Sequence, residues 1–267
     1  MAESSAHRLD IDERGVARVT LTRPKVHNAF DAALIAELTD TFAALAHAPS
    51  VRVVVLAAEG PSFSAGADLN WMREQAEQDE SRNLDDARRL AELMRTLDRL
   101  PKPTIARVHG PAHGGGVGLV ACCDIAIATQ DANFSFSEVK LGLIPAVISP
   151  YVIAAVGPRW ARRLFQTAER FDAHQAQWAG LVHEVVKPAQ LDARIANIIS
   201  VILSNASEAM AEAKDLAHSV AGREIDAALI EETAQHIARR RASAEGKEGI
   251  AAFLAKRKPS WQQRDGD

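Results

Sequence analysis

Three consecutive glycines, Gly114, Gly115 and Gly116, stand directly before the apolar run 117–122, and this feature most narrows the folds open to the chain. Without side chains a backbone turns tightly and leaves its amide N–H groups uncovered. If the apolar run is helical, the triplet sits at a helix amino end, where the macrodipole stabilises negative charge. Downstream, Glu138 lies between the apolar runs 134–136 and 139–144, where burial would raise its pKa toward general acid–base use. Upstream, the segment SFSAGADL at 62–69 follows an apolar strand and offers a second amide donor. Two bare donors and one buried carboxylate suggest enolate chemistry.

The surrounding pattern is that of an α/β chain. Residues 16–22 alternate as a half-buried strand, with Val19 and Leu21 on one face. Asp31 caps a helix whose apolar residues Leu34, Ile35, Leu38, Phe42 and Leu45 recur at helical spacing until Pro49. Residues 51–58 are almost continuously apolar, as a strand covered on both faces should be. Residues 70–84 are charged and Gln-rich and are expected to form a solvated, mobile surface stretch. An amphipathic helix over 85–100 follows, then strands at 104–108 and 124–128 on either side of the glycine-started helix. A capping-box pattern at Asp172–Gln175 opens a short helix. Helical periodicity continues over 189–203, 209–220, 225–240 and 249–255, with strand content nearly gone. Two regions are therefore expected: a core over 1–190 that carries the site, and a helical C-terminal region over 191–267.

Composition sets the partners. A chain of 267 residues that is 47% hydrophobic can bury a large core. Its net charge of −4 gives no overall basic field, so no nucleic-acid partner is expected and any anionic ligand must be met by a local cluster. Cys122 and Cys123, the only cysteines, are adjacent and poorly placed to pair, which points to a reduced, intracellular protein. Both read as core residues of the apolar helix. The N-terminal MAESSAHRLDIDE has no apolar signal core, and the C-terminal QQRDGD carries no lipidation or peroxisomal signal. A cytoplasmic protein with no membrane partner is the expectation. No His/Cys/Asp cluster has metal-ligand spacing and no G-x-G-x-x-G follows a strand, so neither a metal nor a redox cofactor is expected.

The motifs FSAGADL, HGGGVGLVACCDIAIA and FSEVKLGLIP, in that order, resemble the enoyl-CoA hydratase/isomerase (crotonase) superfamily from about Val16 to Trp261. Within it, IPAVISPY and ADLNWM resemble the bacterial methylglutaconyl-CoA and isohexenylglutaconyl-CoA hydratase branch. The resemblance implies a crotonase-like spiral of repeated ββα units with a helical C-terminal trimerisation region, hence a homotrimer or dimer of trimers. It implies that the backbone N–H groups of Ala67 and Gly115 bind a thioester oxygen and that Glu138 is the acid–base. The family's other catalytic glutamate falls on Gly118 here, in GGGVGLV.

Coenzyme A enters as part of the substrate. By resemblance Lys25, Val26 and His27 contact its ribose–phosphate end, and Ala65, Asp68 and Leu69 line the adenine and pantetheine path beside Gly114. Phe253, Lys256 and Arg257 would reach a neighbouring subunit's coenzyme, although the cluster at 256–258 reads equally as a solvated helix end. For a distal substrate carboxylate the nearest candidates are His113, Lys140 and Asn70. Two reactions stay open with one carboxylate: hydration of an α,β-enoyl-CoA, which the methylglutaconyl-type motifs favour and which would include branched, carboxylated acyl chains from leucine or isoprenoid breakdown, and Δ3,Δ2-enoyl-CoA isomerisation. A catalytically weak acyl-CoA-binding protein is the alternative from another class.

Overall fold

The computed structural model describes residues 6–262; Met1–Ser5 of the N-terminal segment and residues 263–267 of QQRDGD lie outside them. Among the described residues nine strands form two sheets. The larger contains β1 (His7–Ile11), β2 (Val16–Leu21), β3 (Val53–Ala58), β4 (Thr104–Val108), β6 (Ile125–Thr129) and β9 (Glu184–Val186), in the order β1-β2-β3-β4-β6-β9. It is parallel except for the edge pair β1–β2. The smaller holds β5 (Ala112–His113), β7 (Asn133–Ser135) and β8 (Phe171–Asp172).

Among the described residues there are ten α-helices. Those of the core are α1 (Ala32–His47), α2 (Leu69–Glu77), α3 (Glu80–Asp98), α4 (Gly115–Cys122), α5 (Ser149–Thr167) and α6 (Ala173–Ala179). The C-terminal region supplies α7 (Leu191–Leu203), α8 (Ser207–Val220), α9 (Ala227–Ala242) and α10 (Ala244–Leu254). None of the described helices is long and apolar enough to cross a membrane.

The two faces of the large sheet bury different side chains. Ala17, Val19, Leu21, Val54, Leu56, Ala106, Val108, Ala126 and Ala128 share one core with α1, α3, α4 and α5. On the opposite face Val16, Val53, Val55, Ile105 and Ile127 pack against Leu191, Ile195, Ile199 and Ile202 of α7. Strand alternation explains the division. It also corrects the half-buried reading of residues 16–22: α7 covers the second face, so β2 is buried on both sides.

The largely exposed stretch 70–84 is helical, because carboxylates cap each start. Asp68 accepts from the Asn70 N–H and Asp79 from the Arg82 N–H, at 2.9 Å each, and the Asn83 amide ties α3 to Gln75 and Gln78 at the end of α2. The chain after residue 150 is less purely helical than its periodicity suggests, since β8 and β9 return to the two sheets. Elsewhere the expected caps hold: Asp31 accepts from the Leu34 N–H at 2.8 Å, and Asp172 and Gln175 form a reciprocal capping box.

Candidate active site

The loop after β3 is held by a lattice of hydrogen bonds. Asn28, fully buried with φ of 54°, accepts from the Arg23 N–H and donates to the carbonyls of Glu59 and Ser62, each at 2.9 Å. The Ser64 hydroxyl donates to the Asn28 carbonyl at 2.9 Å, and the Ala65 N–H to the His27 carbonyl at 2.9 Å. Phe30 pairs with the far end of the loop: its N–H donates to Gly66 at 2.6 Å and its carbonyl accepts from Asp68 at 2.7 Å. These bonds flank Ala67 in parallel-bridge register, so the Ala67 N–H points away from Phe30. Arg23 ties the ends together, reaching Asp31 at 2.7 Å, Asp68 at 3.3 Å and the Ala29 carbonyl at 2.7 Å.

The glycine loop is held by close packing instead. Gly114 (φ 49°, ψ −119°) links β5 to α4 and donates to the Ser135 carbonyl at 3.0 Å. A Cβ on Gly115 would lie 2.7 Å from Cε2 of Phe30, and one on Gly116 would lie 2.6 Å from the Ser64 carbonyl. On Gly66 (φ 87°) it would lie 2.9 Å from the His113 carbonyl and 3.6 Å from the Gly115 nitrogen, which brings the two loops backbone to backbone. The first intrahelical bonds of α4 are made by Val117 and Gly118 to the Gly114 carbonyl, so the N–H groups of Gly115 and Gly116 have no helical acceptor.

Glu138 opens a single 3₁₀ turn (Glu138–Leu141) that Gly142 ends at φ 74°. Its Oε1 faces Gly114, where an added Cβ would lie 3.1 Å away. Its Oε2 is buried with no hydrogen-bond partner among the described residues. Burial raises the Glu138 pKa, opposed only by its own backbone N–H. A carboxylate held against a helix start that has bare amides can move a proton beside an oxygen whose charge those amides stabilise.

The other residues sort by position. Lys25, Val26 and His27 form an exposed turn joined to the site loop through His27 Nδ1 and the Ser62 hydroxyl at 2.9 Å, so they lie beside the exposed Ala65 and Leu69. Asp68 is turned inward instead, because its carboxylate caps α2 and faces Arg23; it is a poor candidate for a ligand wall. Phe253 and Lys256 are exposed on and after α10. Arg257 is paired with Glu248 at 2.7 Å. His113 shares a 2.9 Å hydrogen bond with the Ser135 hydroxyl, while burial, and secondarily the charge of Arg170, lowers its pKa. Asn70 accepts from Arg73 at the surface and Lys140 is exposed. Cys122 and Cys123 are buried free thiols, their pKa values raised by burial, that of Cys123 to about 12. No group of three or more potential metal ligands occurs among the described residues.

Four residues that shape the site had no site role assigned from the sequence: Asn28 and Phe30, which hold the two loops, Ile148, which lies inside IPAVISPY, and Met94; the last two fill the space beside Gly118. The sequence HNAFD offered a signal for the first pair, a polar residue inside an apolar run just before a helix cap.

Residues 12–264 match the enoyl-CoA hydratase/isomerase family. The chain is 34% identical to the 2,3-dehydroadipyl-CoA hydratase of Escherichia coli, over 94% of this chain and 97% of the relative. It is also 34% identical to a crotonyl-CoA hydratase of Syntrophomonas wolfei, over 93% and 95% respectively. The crystal structure of an enoyl-CoA hydratase from Shewanella pealeana superposes with a TM-score of 0.94 at 46% identity, covering 97% of each chain.

Proposed function

The chain belongs to the enoyl-CoA hydratase/isomerase family, and from that premise we propose that it adds water across the α,β double bond of an acyl-CoA thioester, with Glu138 as acid–base and the N–H groups of Ala67 and Gly115 as oxyanion donors. The observation that carries this reading is Glu138, whose Oε1 faces Gly114 at a helix start with bare amides and whose Oε2 is buried without a partner among the described residues. Glu138 takes a proton from water as the water oxygen bonds to the β carbon. The π electrons move through the α carbon onto the thioester oxygen, where the two amides stabilise the enolate. The enolate then collapses, its α carbon takes the proton from Glu138, and the carboxylate is restored. One fixed donor at such an oxygen is worth roughly 3 kcal/mol of barrier. The raised pKa brings the carboxyl closer to the range in which it can both accept and return a proton.

Coenzyme A is part of the substrate, and the scheme uses no metal or redox group. The exposed turn at Lys25 and His27 suits its phosphates, and exposed Ala65 and Leu69 suit the pantetheine arm. Exposed Phe253 and Lys256 are better suited to a neighbouring subunit's coenzyme, which favours a trimer or dimer of trimers. We place the protein in the cytoplasm on its reduced, adjacent cysteines. The relatives named for 2,3-dehydroadipyl-CoA and crotonyl-CoA frame the acyl choice, and the methylglutaconyl-type motifs IPAVISPY and ADLNWM favour a carboxylated, branched chain.

One observation favours a second reading. Position 118 holds glycine, so Glu138 has no companion acid there, and a single base suffices for Δ3,Δ2-isomerisation through the same enolate. Mass spectrometry in H₂¹⁸O with crotonyl-, 3-methylglutaconyl- and 3-enoyl-CoA separates the two. Hydration adds twenty daltons and is lost in Glu138→Gln. Double-bond migration without mass gain makes the protein an isomerase, and tight binding without turnover of any substrate makes it an acyl-CoA-binding protein.

A further inference from the structure

We propose that Ile148, backed by Met94, is the residue that confines this site to one carboxylate, because its side chain occupies the volume a second acid on α4 would need. The inference rests on the assignment of Glu138 as acid–base. Gly118 lies three residues after Gly115, so the two positions share a helix face. A Cβ on Gly118 would meet Cγ2 of Ile148 at 2.3 Å, Cβ of Ile148 at 3.0 Å and Cε of Met94 at 3.3 Å. The first distance is far inside van der Waals contact, and the second belongs to the base of the side chain, which no rotamer change removes.

Ile148 cannot easily retreat. It is 3% exposed and precedes α5, with its carbonyl accepting from Val152 at 3.1 Å. Branching at Cβ restricts its χ1. Gly118 and Met94 are themselves fully or almost fully buried in the same core. A glutamate at 118 would therefore both overpack this junction and bury a carboxylate among aliphatic groups. The absence of the second acid is thus a property of three helices, α3, α4 and α5, rather than of one codon. With that wall apolar, both proton transfers run through Glu138, and the reactions open to the site are those one carboxylate can complete.

Three variants test this: Gly118→Glu, Ile148→Gly, and the two combined. Glycine is chosen at 148 because alanine would keep the Cβ at 3.0 Å, and glycine is tolerated at a position that precedes a helix. Gly118→Glu alone is expected to lower Tm by roughly 10 °C. The combined variant is expected to regain at least half of that loss. Its pH profile of kcat/KM for crotonyl-CoA and 3-methylglutaconyl-CoA is expected to become bell-shaped, where the wild type shows a single acidic ionisation. A wild-type Tm in Gly118→Glu, no recovery in the combined variant, or recovery with the single ionisation unchanged would each overturn the proposal. Full turnover by Glu138→Gln would instead overturn the assignment of Glu138, and the Tm series would still decide whether Ile148 is the obstacle.

Discussion

The two loops that meet at the candidate site are fixed by different means. Residues 62–68 are held by what their neighbours donate and accept: Asn28, Ser64, Arg23 and the backbone of Phe30 leave little of that loop's polar surface unused. Residues 114–118 are held by what they lack, since each glycine lets a ring, a carbonyl, a carboxylate or an isoleucine approach the backbone. Outside Gly66, whose φ of 87° and close approach to His113 exclude a side chain, the first loop tolerates substitution wherever a hydrogen bond can be replaced. The second tolerates none that adds volume. Phe30 belongs to both, pairing its backbone with one loop and laying its ring on the other, and so it sets their separation.

The sharpest way to break this contrast is Gly115→Ala. The added methyl would collide with the Phe30 ring at 2.7 Å and displace one of the two amides. We expect kcat to fall by ~100-fold or more, with a Tm loss that Phe30→Leu partly relieves when the two are combined. Rates and thermal melts of the single and double variants would show it, and additive losses would mean that ring and glycine are not coupled.

Asn28→Ala attacks the hydrogen-bonded loop at its centre. It strands the part-buried carbonyl of Glu59 and the buried carbonyl of Ser62 and puts alanine at φ of 54°, so chemical denaturation should show a loss of roughly 2–4 kcal/mol. Arg23→Met should act more gently, because it loosens Asp31 and Asp68 while leaving the Asn28 lattice in place. A fall in kcat of roughly tenfold with KM little changed is expected if, as proposed, the amide of Ala67, held through Asp68, acts on the transition state. An unchanged kcat would detach Arg23 from the site.

The smallest effect concerns Glu138, the carboxylate whose Oε1 faces Gly114. Its folded pKa lies above the ordinary 4.5, so its stabilising contribution is complete at acid pH and is lost as pH rises through the folded value. Glu138→Gln should therefore raise Tm by ~1–2 °C at pH 8 and leave it unchanged near pH 4. In the wild type the acidic limb of kcat/KM should lie above 4.5 for the same reason, because the ionised form accepts the proton. A limb at or below that value would show that the carboxylate is solvated in the working enzyme.

Local chemistry was legible in the sequence where one element decides it. Asp31 and Asp172 cap helices by contacts within their own first turn, and β4 runs over Thr104–Val108 as its pattern indicates. Glu138 and the glycine triplet were legible because burial and missing side chains both leave a mark in a short stretch. What spacing could not express is the meeting of distant segments. Nothing in the vicinity of Gly118 announces Ile148, thirty residues on, or Met94, on a helix before it. The inward turn of Asp68 depends on Arg23, and the burial of both faces of β2 depends on α7 at the other end of the chain. The charged run 70–84 is largely exposed, as its charge indicates, but its helices were not legible from charge, which describes the outer face of α2 and α3 while the caps that start them are single residues.

The packing of α7 also has a consequence for synthesis. Strands β1 to β4 and β6 emerge from the ribosome in sequence and can pair as they appear, but the helix that covers Val16, Val53, Val55, Ile105 and Ile127 is complete only at Leu203. Until then the nascent sheet presents a continuous surface of branched aliphatic side chains to water, the kind of surface that draws chaperones or other nascent chains. A ribosome stalled between β6 and α7 would hold the chain at its most aggregation-prone length.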